Sequence, residues 1–330
     1  MPKTVYLVVS IDTECDKAPD WSLRRPLQFR GITEGIPAIL TPLFDRYGIK
    51  PTYLLSPEVL ANSQAVTTLR SVPNCELGTH LHGEFIEPQA DFNATRTATP
   101  QFCYPPEVER AKLRNLTDLF TRQFGYSPKS FRAGRFGIST STLLYLIELG
   151  YEVDSSVSPF WSHSFDKVTR NYWGAPYQPY FPAATDIRKV GKLPILQVPV
   201  TIYNDTCGHW PRWLLRRVNG KSQLQKRVIR RLGVSFSRTQ WLRPQRSTAA
   251  QLVKLADQVI ANCDGKKPIV LNMMYHNVEV IPGASPYAQT ESEVENILNS
   301  QAVLFEHLHE HYDLRPIGLS ETIHLFRHVH

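Results

Sequence analysis

Four short stretches carry side chains that can do chemistry together. The first is Ser10-Ile-Asp12-Thr-Glu14-Cys-Asp16, which ends the apolar run Val5–Val9. Asp12 and Glu14 stand two apart, so on an extended chain their carboxylates point to one side. The second is Glu76-Leu-Gly-Thr-His80-Leu-His82-Gly-Glu84, whose two histidines share a face for the same reason. Two imidazoles and a carboxylate make a three-ligand set with an open position, the way a catalytic divalent metal such as zinc is held. Glu14 is the natural third ligand to His80 and His82. Glu84, four beyond His80, competes for that place if the segment is helical. The bland reading of both stretches is wet loop, with solvated acids and histidines bonded to backbone.

The third stretch, Ser130-Phe-Arg132-Ala-Gly-Arg135-Phe-Gly137, offers two guanidiniums, which suit the binding or orientation of carboxylates. Arg132 can hold Asp12 ionised and aimed, and Arg135 can take substrate. Surface ion pairs are the alternative. The fourth, Asn272-Met-Met-Tyr275-His276-Asn-Val-Glu279, puts a lone histidine at the end of an apolar run. An imidazole that titrates near neutrality can protonate a leaving group. It can equally be a satisfied core residue.

These groups need strand ends to position them. Periodicity predicts strands near 4–11, 50–55, 75–82, 130–135, 151–157, 195–203, 269–275 and 314–317. Between them it predicts helices near 34–47, from Ser56-Pro57, and near 106–124, 139–149, 248–263 and 320–327. Another opens at Thr290-Glu-Ser-Glu293, a capping box. Regular alternation predicts an α/β fold with parallel strands, whose active sites lie at the strands' carboxyl ends. Seven to eight strands in one run favour a single barrel-like domain over 1–330. Two loops, near 83–105 and 159–182, are too long to be simple connections. Trp173 and its neighbours in the second can stack on sugar rings or pack the loop.

With 42% hydrophobic and 20% charged residues, 330 residues make an ordinary globular chain with room for a large core. No apolar run reaches the ~18 residues of a membrane span. A core strand begins almost at the N-terminus, with no signal peptide expected before it. Five scattered cysteines read as reduced thiols of a cytoplasmic protein. The net charge of +7 is concentrated: residues 206–256 hold twelve Lys/Arg and no Asp or Glu, so the basic character belongs to an insertion over 206–247. That argues against a chain-wide nucleic-acid footprint. Within 210–232, Leu224, Val228, Ile229 and Leu232 oppose Lys226, Arg227, Arg230 and Arg231 at helical spacing, near Trp210 and Trp213. Such a helix can make peripheral contact with the inner face of an anionic membrane, or pack its apolar side on the barrel.

The motifs in this order resemble those of polysaccharide deacetylases, the NodB-homology group, over nearly the whole chain. Leu77–His82, Phe131–Gly137, Asp154-Ser-Ser-Val157, Trp241-Leu-Arg-Pro244, Met274–Glu279 and Pro282–Tyr287 look like its WalW-type branch, associated with lipopolysaccharide biosynthesis. The resemblance implies a distorted (β/α)7-type barrel and metal-dependent removal of an N-acetyl group from an amino sugar. It implies Asp12 as base, Glu14 as metal ligand, Arg132 as holder of the base and His276 as acid. It implies that Asp154 tunes the acid; Arg135, Asp154, Tyr275 and Trp173 are the expected substrate contacts. The family's second motif is usually His-x-x-x-His, whereas His80-Leu-His82 precedes Glu84 here, so His82 and Glu84 remain rival ligands beside His80. The implied substrate is an amino-sugar glycan or a lipid- or nucleotide-linked precursor. A glycan-binding relative, or a hydrolase of a ureide or formamide, are the other readings.

Overall fold

A computed structural model describes residues 2–97, 99–165, 168–217, 231 and 233–327. Eight strands form one parallel sheet: β1 (Thr4–Thr13), β2 (Pro51–Leu55), β3 (Glu76–Leu81), β4 (Ser130–Ala133), β5 (Val153–Asp154), β6 (Leu196–Gln197), β7 (Ile269–His276) and β8 (Asp313–Pro316). Seven lie in the order β6-β5-β4-β3-β2-β1-β7, and β8 pairs with the start of β1. The sheet curls until its edges meet. Thr201 N–H, just past β6, donates to Asn272 O of β7 at 2.9 Å, and Asn272 Nδ2 donates to Pro199 O at 3.3 Å. This is the expected distorted (β/α)7 barrel. β1, β2 and β7 are buried along almost their whole length, as strands covered on both faces must be.

Helices α1 (Pro106–Phe124), α2 (Thr140–Glu148), α3 (Ala249–Ala261) and α4 (Glu291–His311) follow the sequence reading closely. Their starts are written in side chains: Ser139, Thr248 and Thr290 each cap with a reciprocal box. Three readings change. The helix expected near 34–47 begins at Gly31 as a π-helix through Leu40, with Pro37 inside it, before Thr41–Arg46 turns α-helical. A proline cannot donate to the usual ladder. The strand expected at 195–203 stops at Gln197, before Pro199, and resumes as Ile202–Asn204, antiparallel to Thr239–Trp241. The long loop at 159–182 holds a hairpin, Ser162–Phe165 with Val168–Asn171.

Most of the basic amphipathic segment, Lys226, Arg227 and Arg230 included, lies outside the described residues. Among the described residues no helix is long and apolar enough to cross a membrane.

β3 must lie close to its neighbours to bring its histidines inward. Gly78 permits this, since a Cβ there would stand 2.7 Å from both Ser130 O and Leu54 Cδ2. Gly78→Ala is therefore expected to destabilise the protein by about 1–3 kcal/mol through overpacking. Urea unfolding measures it, and an unchanged midpoint would mean that the strands can part without cost.

Candidate active site

Side-chain alternation sends Asp12, His80, Arg132 and His276 from the carboxyl ends of four strands to one place. Asp12 and His276 face each other in register, as do His80 and Arg132. Glu14 follows β1 and is gripped by Asn277: its N–H donates to Asn277 Oδ1 at 2.8 Å, and Asn277 Nδ2 donates to its carbonyl at 3.1 Å. Gly134 leaves space for the His82 ring, since a Cβ there would stand 2.9 Å from His82 Nδ1.

Glu14, His80 and His82 form a buried group of metal-ligand type. His80 Nε2 stands 3.1 Å from His82 Nε2 and 3.3 Å from Glu14 Oε1, and His82 Nε2 stands 3.1 Å from Glu14 Oε1. The hydrogen bonds around them test whether an ion fits. His80 Nδ1 lies 3.0 Å from the Arg132 carbonyl, which can only accept, so Nδ1 carries the proton. In the neutral ring, the Nε2 lone pair then faces a carboxylate oxygen and a second imidazole nitrogen. Lone pairs converging in this way repel unless a cation or proton lies between them. Ligands at roughly 2.0–2.1 Å from one ion would have about this spacing, so the residues fit a divalent metal. The second Glu14 oxygen, Oε2, meets the fully buried Lys17 ammonium at 2.9 Å. Burial opposes Glu14 ionisation, but Lys17, His82 and His80 hold its carboxyl well below the usual range.

Asp12 sits beside this group. Arg132, itself fully buried, donates from Nη1 to Asp12 Oδ1 at 2.6 Å. Burial raises the Asp12 pKa, yet Arg132, with His80 and His276, outweighs it and keeps the pKa below normal. Oδ2 is left toward His80 Nε2 at 3.9 Å and His276 Nε2 at 4.0 Å. The Nδ1–H of His276 donates to Glu279 Oε1 at 2.7 Å, to which Arg243 Nη2 also donates at 3.0 Å. Trp21 packs edge-on against the His276 ring at 4.9 Å. A held carboxylate, a held imidazole and a three-ligand group thus share one cavity of about 140 Å3, walled also by Trp21, Thr97, Arg135, Arg243 and Tyr287.

The structure brings together Asp12, Glu14, His80, His82, Arg132, Arg135 and His276. It joins His82, not Glu84, to Glu14 and His80. Glu84 Oε1 instead accepts from Thr99 N–H at 2.8 Å. Three expected substrate contacts lie elsewhere. Tyr275 precedes His276 on β7, so strand alternation turns it into the hydrophobic core. Trp173 packs on Phe160 and Phe236 at 5.8 and 5.1 Å. Asp154 accepts from Ser156 Oγ at 2.6 Å and Ser156 N at 3.0 Å, away from the cavity lining. The acid that reaches His276 is Glu279. Its spacing of three from His276 was a signal, because a 3-10 turn places such residues together. Trp21, Thr97, Arg243 and Tyr287 come from loops; Arg243 and Tyr287 stand in two of the stretches that carry the family resemblance, whereas no local pattern announces Trp21 and Thr97.

Neither a family model nor a curated protein matches this sequence. Solved structures do share its fold. A structure assigned as a polysaccharide deacetylase from Mycobacterium smegmatis is 14% identical, with a TM-score of 0.52, covering 98% of this chain and 91% of the other. One so assigned from Pseudomonas aeruginosa PAO1 is 13% identical, with a TM-score of 0.53 and coverage of 99% and 91%. Puue allantoinase is 14% identical, with a TM-score of 0.54 and the same coverage. The chain has the polysaccharide deacetylase fold.

Burial pushes the Asp154 carboxyl from 3.8 up to about 6. The folded state therefore keeps this proton to higher pH than the unfolded chain, and the stability it lends below pH 4 is lost as pH rises through 6. Over that window the protein should lose up to about 3 kcal/mol relative to Asp154→Asn. Parallel stability–pH curves for the two would contradict this.

Proposed function

We propose that this protein is a metal-dependent hydrolase that removes an N-acetyl group from an amino sugar of a glycan or glycan precursor. One observation carries the reading: a Glu-His-His ligand group adjoins both a carboxylate locked by arginine and an imidazole locked by glutamate. Glu14, His80 and His82 would hold a divalent ion, zinc in the simplest case, which would polarise the amide carbonyl and make a water more acidic.

Asp12, ionised and fixed through Oδ1, accepts the attacking water's proton on Oδ2. Arg132 prevents the carboxylate from turning away and keeps it a base despite its burial. As the C–O bond forms and the C–N bond breaks, His276 Nε2 gives its proton to the departing amine. Glu279 holds the opposite nitrogen, which aims Nε2 into the cavity. Acetate and the free amine leave. Trp21 and Tyr287 offer aromatic faces to the sugar beside this centre. The same groups would serve a formamide or ureide carbonyl, and the fold shared with an allantoinase gives that second reading its place. Five free thiols suit a reducing compartment, in line with a lipid- or nucleotide-linked precursor of a surface glycan, as in lipopolysaccharide assembly.

The purified protein is expected to hold one zinc-type ion per chain and to release acetate from N-acetylated sugars, with chelator abolishing release. A panel of formyl, acetyl and ureido substrates, assayed for product amine, chooses among carbonyls. No bound metal, with sugar binding intact in Asp12→Asn, would instead mark a glycan-binding relative. His276→Ala should lower kcat by roughly 10²–10⁴-fold and keep the metal. Loss of metal on that substitution would remove His276 from the acid's role.

A further inference from the structure

Charges facing the cavity come in matched pairs, with one exception. Asp12 meets Arg132 at 2.6 Å, Glu14 meets Lys17 at 2.9 Å and Glu279 meets Arg243 at 3.0 Å. Arg135 lines the same cavity and, among the described residues, has no carboxylate within 4.0 Å. Among the described residues its side chain makes one hydrogen bond, a long one from Nη2 to Thr97 Oγ1 at 3.5 Å, and its buried Nε has no partner. Glu84 and then Glu14 attract it from further away; Glu84 Oε1 accepts from Thr99 N–H, and its Oε2 is buried without a hydrogen bond among the described residues. Burial lowers its pKa, but a guanidinium remains charged in proteins.

The backbone also points to a purpose. Arg135 and Phe136 are consecutive non-glycine residues in the left-handed region, at φ 56° and 54°. Such strain persists only where the surroundings impose it, and it gathers at ligand sites. The surroundings here are tight: a Cβ on Gly134 would stand 2.5 Å from Leu81 O, and one on Gly137 2.8 Å from Pro100 Cβ. The turn after β4 is thus forced into a shape that turns a half-buried, unpaired cation toward the Glu-His-His group. A planar guanidinium fork matches the paired oxygens of a carboxylate or phosphate.

We infer that Arg135 binds an oxyanion carried by the substrate close to the scissile amide, so that the preferred substrates are acidic N-acylated amino sugars. This rests on the hydrolase reading above and narrows it. The cavity, about 140 Å3, is small enough that a group reaching Arg135 belongs to the sugar unit undergoing reaction. Trp21 and Tyr287 provide the apolar wall for the ring.

The test uses the full chain loaded with zinc. N-acetylglucosamine is compared with N-acetylglucosamine 6-phosphate and N-acetylmuramic acid, which place phosphate and carboxylate on the same ring. The unmodified protein is expected to favour an acidic sugar by tenfold or more in kcat/KM, chiefly through KM. Arg135→Gln should abolish that ratio, and Arg135→Lys should restore part of it, since a point charge keeps attraction but not the fork. Equal turnover of neutral and acidic sugars by the unmodified protein would overturn the inference, as would an undiminished ratio in Arg135→Gln. Calorimetry separates this from failure of the hydrolase reading itself. If no substrate yields amine, Arg135-dependent binding of glucose 6-phosphate or glucuronate over glucose still supports the anion site, and its absence refutes it. Acetate binding as tightly as the acidic sugars would assign Arg135 to the leaving carboxylate and refute a substrate anion.

Discussion

The Arg132–Asp12 pair at the centre of the barrel is the constraint on which the rest depends. Arg132 is fully buried and places four donor contacts: Nη1 to Asp12 Oδ1 at 2.6 Å, Nη2 to Ser10 Oγ at 2.6 Å and Ser155 Oγ at 2.9 Å, and Nε to Ser155 O at 3.0 Å. Ser10 Oγ passes its own proton to Asn272 Oδ1 at 2.6 Å, and Asn272 Nδ2 donates to Ser155 Oγ at 3.0 Å. The circuit ties β1, β4, the exit of β5 and β7 together. Desolvating both ions costs several kcal/mol each, and only near-complete hydrogen bonding offsets it. This network meets that condition, so it fixes geometry more than it adds stability. A Leu-for-Arg barrel centre could pack as well, but nothing would then hold Asp12 in place or ionised.

The same logic repeats around the cavity. Lys17 is buried to hold one Glu14 oxygen, which leaves the other directed at the two histidines. Arg243 and His276 converge on Glu279. Each of the three acids is therefore met by a partner of opposite sign: Arg132 of another strand for Asp12, Lys17 three residues on for Glu14, and Arg243 of a loop for Glu279. In a low-dielectric site such pairing decides protonation as well as position. The ligand group adjoins the proposed base and acid because the carboxyl ends of β1, β3 and β7 supply all three components. Barrel curvature, rather than any one loop, sets the distances.

Which parts were legible follows from this. Asp12, Glu14, His80, His82, Arg132 and His276 could be read because strand alternation and strand ends are local patterns with fixed geometry. The same rule, not applied strictly, misplaced Tyr275: it adjoins His276 on one strand, so both cannot face the cavity. Trp173 was misread because an aromatic-rich loop looks the same whether it awaits a sugar or packs on Phe160 and Phe236. Asp154 ends its strand as expected, but Ser156, two residues on, engages both its oxygens. The break after Gln197 could have been seen in Pro199, which cannot donate to a ladder. Lys17 stands three residues after Glu14 and Arg243 lies in the Trp241–Pro244 stretch, but that each meets a buried acid is set by how the chain folds back over the barrel mouth.

Base and acid face a common problem in a site this buried. Two groups near one ion would drift toward the same protonation behaviour unless their surroundings differ, and hydrolysis needs one to accept a proton while the other gives one. Here the difference is built into the partners that hold each group. Asp12 is paired with a permanent cation, which favours its proton-free form despite desolvation. His276 Nδ1 lies 2.7 Å from Glu279 Oε1, a carboxylate oxygen that can only accept, and 3.1 Å from Arg243 Nη2, so the ring carries its proton on Nδ1 and is fixed with Nε2 toward the cavity. The asymmetry of the proposed reaction thus resides less in the residues that would touch substrate than in Arg132 and Glu279 behind them.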